Sequence, residues 1–305
     1  MVDGGERILN GYKILRQIGA GSFANVFQVE NIETKIRYAM KIYRGEVDEY
    51  LMQDPQNEIN FLRKHLSPFI IRYVEDFQIE EDYSRRCIVV DYADGGDLRM
   101  KMAAMNNKIP EQLALNWFVH ICLALAKMHS QGIMHRDIKP ENILIVGEVL
   151  GGIAKLNSSQ TIKEFDLDPK NTFYVGTAQY FAPEKRYGEY QEKVDVWALG
   201  IVLYEMLSGG KFPFEYDFCR GGLEDYMTKL PSLELRQLPS EVSQESKDLV
   251  AKLLEKDPEN RPSIVDIIKT PIISKRLSLI TEEFLLGIEI SRQVKELLIS
   301  LGITL

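Results

Sequence analysis

Five residues of His135-Arg136-Asp137-Ile138-Lys139-Pro140-Glu141-Asn142 have types and spacing suited to chemistry on a phosphoryl group. Asp137 can accept the proton of an incoming Ser or Thr hydroxyl, Lys139 can neutralise the phosphoryl in transfer, and Asn142 can hold Mg²⁺. Upstream, Ile18-Gly19-Ala20-Gly21-Ser22-Phe23-Ala24-Asn25-Val26 lies between two strand-like runs, where small residues let backbone N–H groups close over nucleotide phosphates. Ala24 replaces the third glycine of a G-x-G-x-x-G loop, and by itself the segment reads better as a plain hairpin. Tyr38-Ala39-Met40-Lys41 gives it weight, because a Lys after an apolar strand run can reach the α and β phosphates as a point charge. Glu58 falls on a helix from which it can pair with Lys41 and hold it over the nucleotide. A solvated helix glutamate is the plainer alternative.

These groups must be positioned by two kinds of structure. The first ninety or so residues read as a small antiparallel sheet, with strands over Tyr12–Ile18, Val26–Val29 and Arg37–Tyr43 and two more near Ile71–Phe77 and Cys87–Tyr92. Asp54-Pro55 looks like a helix cap followed by proline at the first helical position, and Ile59, Leu62 and Leu66 then fall on one face. Ala93-Asp94-Gly95-Gly96-Asp97 breaks the pattern as a hinge would. Beyond it the chain turns helical: Leu113–His129 and Val194–Leu207 are apolar nearly all round, as helices buried within a lobe are. Several amphipathic helices are expected over 222–304. Thr281-Glu282-Glu283 reads as the start of the last, with Phe284, Leu285, Ile288, Val294, Leu297 and Leu298 as its apolar face.

The fold class expected is therefore α+β: a β-rich N-lobe with one inserted helix (1–93), a helical C-lobe (94–270), and a C-terminal helical extension packed on the C-lobe (271–305). Self-association through that last helix is the alternative to packing. The composition agrees with an ordinary soluble protein, since 305 residues with 45% hydrophobic content can bury a large core. Cys87, Cys122 and Cys219 are odd in number and widely spaced, which points to a reducing, cytoplasmic compartment rather than a disulfide framework or zinc site. The start carries no apolar h-region, and no run approaches the roughly 18 apolar residues of a membrane span. A net charge of −8 disfavours nucleic acid or an anionic membrane as the main partner.

With the octet in view, the sequence resembles the eukaryotic protein kinases, and Lys139 is the Ser/Thr-type signature among them. Further landmarks of that family follow in order: Gly176-Thr177-x-x-Tyr180-x-Ala182-Pro183-Glu184, Asp195-x-Trp197-x-x-Gly200 and Asn260-Arg261-Pro262. The resemblance covers about residues 12 to 270. It implies ATP and a protein substrate or protein partner, pairing of Glu184 with a buried Arg261, and anchoring of the catalytic loop backbone by Asp195. It also implies an adenine pocket with Val26, Ala39 and Leu144 around the purine, Val90 behind it, and backbone contacts near Asp91 and Ala93. Asp94-Gly95-Gly96-Asp97-Leu98, Trp117-Phe118 and Met134-His135-Arg136-Asp137-Ile138-Lys139 are similar to the NIMA-related (NEK) branch.

The family pattern fails at one place. After Lys155-Leu156-Asn157 the family carries Asp-Phe-Gly, and this chain carries Ser158-Ser159-Gln160. The Asp holds Mg²⁺ between the β and γ phosphates, and a serine hydroxyl brings no charge to replace it. The Phe packs against positions matching Leu62, Tyr73 and His135, and Ser159 leaves that stack unfilled. Glu164, Asp166 and Asp168 are candidates to stand in for the lost acid, though solvated loop acids are the plainer reading. Phe173 occupies the place of a NEK-type activation threonine, flanked by Thr172 and Tyr174. Two functional expectations remain: an ATP-binding but catalytically impaired kinase domain with weak or absent Mg²⁺, acting as scaffold or allosteric partner, or an active Ser/Thr kinase with atypical metal coordination.

Overall fold

A computed structural model describes residues 7–21, 24–44, 55–79, 82–148, 151–158, 163–164, 176–188, 190–282 and 287–303. The N-terminal half of the fold is one six-stranded antiparallel sheet, built from β1 (Ile8–Leu9), β2 (Tyr12–Ala20), β3 (Ala24–Asn31), β4 (Arg37–Tyr43), β5 (Tyr73–Ile79) and β6 (Asp82–Asp91). Its strand order is β1-β2-β3-β4-β6-β5, so only the last two exchange places relative to the chain. The sheet has two faces because side chains alternate along each strand. On one face Tyr12, Val29, Met40, Ile42, Cys87 and Val89 form a small core of their own. Ala39, Lys41, Ile88 and Val90 point the other way, and the β4–β6 register sets Ala39 beside Val90 and Lys41 beside Ile88.

Helix α1 (Pro55–Lys64) crosses that second face with Glu58, Ile59, Phe61 and Leu62 buried. Its capping position, Asp54, lies outside the described residues. Leu66, expected on the same apolar face, is 70% exposed. The helix has already ended, because Ser67-Pro68 follows, and proline both lacks an N–H and pushes its predecessor out of the helical region.

The hinge begins after β6 and runs into α2 (Leu98–Ala104), which Asp97 caps by accepting from the Met100 N–H at 2.8 Å. Gly95 packs against β8 (Ile143–Val146): its N–H donates to Ile145 O at 3.0 Å, and a Cβ on it would lie 2.8 Å from that same oxygen. Helix α3 (Glu111–His129) is buried on nearly every side. Two short pairings follow, of β7 (Ile133–Met134) with β10 (Lys163–Glu164) and of β8 with β9 (Ile153–Leu156). Helix α4 (Lys193–Ser208) is buried along its length, and α5 (Phe218–Lys229), α6 (Gln244–Leu253) and α7 (Ile264–Ile268) complete the layer around it.

The C-terminal segment differs from expectation. It holds two helices, α8 (Pro271–Glu282) and α9 (Gly287–Ser300), and Thr281 closes the first instead of opening the last. Its hydroxyl donates back to Leu277 O at 3.0 Å and Ser278 O at 2.9 Å, which a serine or threonine can do inside a helix as readily as it caps one. Ile273, Leu277, Ile280, Val294 and Leu298 are buried in the main core. Phe284 and Leu285 lie outside the described residues, as does the side chain of Ile288. Among the described residues no helix is long and apolar enough to cross a membrane.

Candidate functional site

A cleft of about 410 Å³ opens between the sheet and the helical half. Val26, Ala39 and Lys41 line it from β3 and β4, Ile18 and Gly19 from the end of β2, Val90 and Asp91 from the end of β6, and Ala93 from the hinge. Leu144 closes it from β8. Strand register explains the convergence, since Val26 pairs with Lys41 and Ala39 with Val90, all on one face. Gly21 is not among the lining residues; its N–H donates to Ala24 O at 2.8 Å and closes the hairpin turn beyond the cleft. The Asp91 N–H is taken by Arg72 O at 3.0 Å. Met100 also lines the cleft, a residue the sequence reading passed over although it sits in the first turn after the hinge.

Lys41 Nζ donates to both oxygens of Glu58, at 2.9 and 2.8 Å. Glu58 is 2% exposed and receives two further donors. One is the Tyr43 hydroxyl, which lies two positions beyond Lys41 on β4 and so on the same face. The other is Ser158, whose hydroxyl donates to Glu58 Oε1 at 2.6 Å. Ser158 is itself buried. The structure therefore brings Ser158, at the position where a metal-holding carboxylate was expected, onto the helix glutamate. Ser159, Gln160, Asp166, Asp168, Thr172, Phe173 and Tyr174 lie outside the described residues, and for Glu164 only the backbone is described, paired with Ile133. Of the three residues expected to stack on the missing Phe, Leu62 and His135 are buried, while the Tyr73 hydroxyl reaches Arg63 and Asp76.

The catalytic loop is held from below by Asp195 on α4. Its carboxylate accepts from the His135 N–H at 2.9 Å, the Arg136 N–H at 2.8 Å and His129 Nε2 at 3.0 Å. Burial alone pushes this carboxyl up, but the His129 hydrogen bond, the two neighbouring imidazoles and the backbone donors overcome it, leaving Asp195 below the usual carboxylate range. Arg136 takes φ of +66° in this turn. Within the loop, Asn142 Nδ2 donates to Asp137 O and to Asp137 Oδ2, both at 2.8 Å. Lys139 Nζ lies 3.1 Å from Asp137 Oδ2 and donates to Thr177 Oγ1 at 2.7 Å. Thr177 in turn donates to Asp137 Oδ1 at 3.1 Å. Thr177 enters the sequence only as a landmark, and its place between the two catalytic-loop residues emerges from the fold. It is brought there by Gly176, at φ of +110°, where a Cβ would lie 2.6 Å from Arg136 O.

Two ion clusters brace this arrangement. Arg261 is fully buried and meets Glu184 through both terminal guanidinium nitrogens, at 2.5 and 3.1 Å. Arg99, on α2, reaches Glu141 at 2.9 Å, the buried Glu205 at 2.6 Å and the Tyr180 hydroxyl at 2.8 Å, tying the hinge helix to the catalytic loop and to α4. Nothing in the local sequence marks Arg99, because its partners lie on three separate elements.

The protein kinase domain family matches residues 12–273. The chain belongs to the protein kinase family. It is 33% identical over 290 residues to the mouse serine/threonine-protein kinase Nek1, covering 90% of this chain and 23% of that protein. Mouse Nek3 is 33% identical over 267 residues, 85% of this chain and 49% of its own length. An Arabidopsis thaliana serine/threonine-protein kinase, AtPK2/AtPK19, is 33% identical over 256 residues, 83% of this chain and 51% of its own. The chain thus spans a quarter to a half of these relatives. Membership in the family implies ATP and Mg²⁺ in general. The cleft's apolar walls and Lys41 fit the nucleotide, with Lys41 placed to meet its phosphates. Among the described residues no group of three or more His, Cys, Asp or Glu could hold a metal ion. Ser158 gives its hydroxyl to Glu58, while Asn142 donates through its amide nitrogen to Asp137 and its amide oxygen is the atom that would hold Mg²⁺.

Proposed function

We propose that this chain is a NEK-like Ser/Thr protein kinase domain that binds ATP in the cleft and is impaired in phosphotransfer, serving as a scaffold or allosteric partner. The observation that carries this reading is Ser158, a buried hydroxyl turned to Glu58 where the family places a metal-holding carboxylate. Loss of one preorganised electrostatic contact costs on the order of 10²–10³ in rate, and a direct metal carboxylate at least as much. The assembled Lys41–Glu58 pair and the apolar walls support nucleotide binding independently of turnover. The NEK assignment is supported by the similarity to Nek1 and Nek3 and by Asp94-Gly95-Gly96-Asp97-Leu98; a plant kinase outside that branch matches at the same identity.

A second reading, an active kinase with atypical metal use, is favoured by the Asp137–Thr177–Lys139 arrangement. Asp137 stands ready to take a hydroxyl proton and Lys139 to offset phosphoryl charge, a pair that a pure scaffold does not need. The two readings separate in one assay of purified protein with radiolabelled ATP and a generic Ser/Thr substrate. The impaired domain binds ATP with little dependence on Mg²⁺ and incorporates no phosphate. Robust Mg²⁺-dependent transfer that disappears in Asp137→Asn refutes it.

A further inference from the structure

Glu58 is a carboxylate almost completely withdrawn from water, and such a charge is stable only when its oxygens are fully hydrogen-bonded. Lys41 supplies two of its bonds and Tyr43 a third, all from the same strand. Among the described residues, only Ser158 approaches from the other half of the molecule. At 2.6 Å its bond falls in the short range of a hydroxyl donating to an ionised acceptor, roughly twice as strong as a neutral pair.

The backbone behind Ser158 is fixed. The Asn157 N–H donates to Asn142 O at 2.9 Å, and Asn157 O lies 2.8 Å from His135 Nε2, so the residue before Ser158 is bound to the catalytic loop on both sides. His135 is in turn held through its N–H by Asp195. A continuous chain of contacts thus runs from α1 through the Ser158 hydroxyl into the catalytic loop and α4. Among the described residues, the other bonds to the Glu58 carboxylate stay within the sheet half.

We propose that Ser158 is a positioning residue that acts as a latch: its hydroxyl holds α1, and with it the Lys41–Glu58 pair, in the nucleotide-ready arrangement without a metal ion or a nucleotide. The loss of the family's metal carboxylate and the gain of this bond are then one change. A carboxylate at 158 would bring no proton to donate and would face Glu58 as a like charge. This inference rests on the reading that the cleft takes ATP. A protein whose binding-competent state is only fractionally populated shows its affinity reduced by that fraction, so a loosened latch reads out directly in ATP affinity.

The experiment is ATP titration in EDTA, with amide hydrogen exchange of residues 55–64, on wild type, Ser158→Ala, Ser158→Thr and Ser158→Asp. Ser158→Ala is expected to lose about tenfold in affinity, equivalent to about 1.4 kcal/mol, and to exchange faster over 55–64. Ser158→Thr keeps a hydroxyl and restores both readouts to near wild type, a rescue that a space-filling role does not require. Ser158→Asp stays at or below the alanine level. The latch is overturned if Ser158→Ala binds ATP within twofold of wild type and leaves 55–64 unchanged, or if Ser158→Asp recovers wild-type affinity without metal. Should wild type bind no ATP, the cleft reading fails, while the exchange rates still decide the latch.

Discussion

Single residues in this protein are placed to a few tenths of an ångström by backbone contacts that tolerate nothing larger. Gly95 is such a case at the hinge, since any Cβ would press on Ile145 O, a rigid backbone atom already hydrogen-bonded to the Gly95 N–H. Gly95→Ala must shift the hinge away from β8, and the expected cost is about 1–3 kcal/mol of stability together with weaker ATP binding, because Ala93 and Val90 line the cleft two and five positions upstream. Chemical denaturation and nucleotide titration check the two effects. The same scale explains what the sequence did not reveal about Thr177, whose hydroxyl sits between Asp137 and Lys139 only because Gly176 turns the chain under Arg136 O.

At the scale of elements, buried charge pairs fasten segments far apart in the chain. Arg261, just before α7, bridges to Glu184, which precedes α4, and also donates to the carbonyls of Lys193 and Glu255. Arg261→Met would leave Glu184 buried without its cation, and removing one partner of such a pair costs about 3–5 kcal/mol. The measured midpoint of urea unfolding should fall accordingly, and Glu184→Gln in the same background should recover part of the loss. The misread C-terminal helix belongs to this scale as well. Thr281-Glu282-Glu283 carries the residue types of a helix start, yet with Ile273, Leu277 and Ile280 already buried the preceding run continues through Thr281.

The whole molecule couples to pH through groups its core excludes from water. His120 in α3 accepts from the Ala154 N–H at 3.2 Å, stacks on Phe69, and is held neutral by burial, which lowers its pKa from 6.5 to about 3. His135 is lowered in the same direction and by the same cause. A base depressed on folding leaves the unfolded chain binding more protons between the two values. Stability is therefore complete above about pH 6.5 and declines as pH falls toward 3. For His120 alone the loss is about 2 kcal/mol at pH 5. Thermal melts from pH 7.5 to 5 should show a falling midpoint, and His120→Gln, which keeps an acceptor but cannot be protonated there, should flatten that slope while starting lower at pH 7.5.

Much of the architecture was legible because local pattern carries it. Short β-branched and aromatic runs between turns marked the strands of the sheet, apolar-all-round segments marked α3 and α4, and the octet from His135 to Asn142 with the landmarks after it pointed to the family. Lys41, Glu58, Asp137, Lys139 and Asn142 were named from types and spacing. Leu66 and Thr281 were misjudged because periodicity and capping chemistry do not say where a helix stops once proline or core burial intervenes. Sequence alone thus puts a serine at position 158, where the family resemblance leads one to expect a carboxylate. Only the tertiary structure decided where the serine hydroxyl goes, because its acceptor lies one hundred residues away on a helix of the other lobe, and a hydrogen bond between them exists only once the sheet and the helical half have closed on each other.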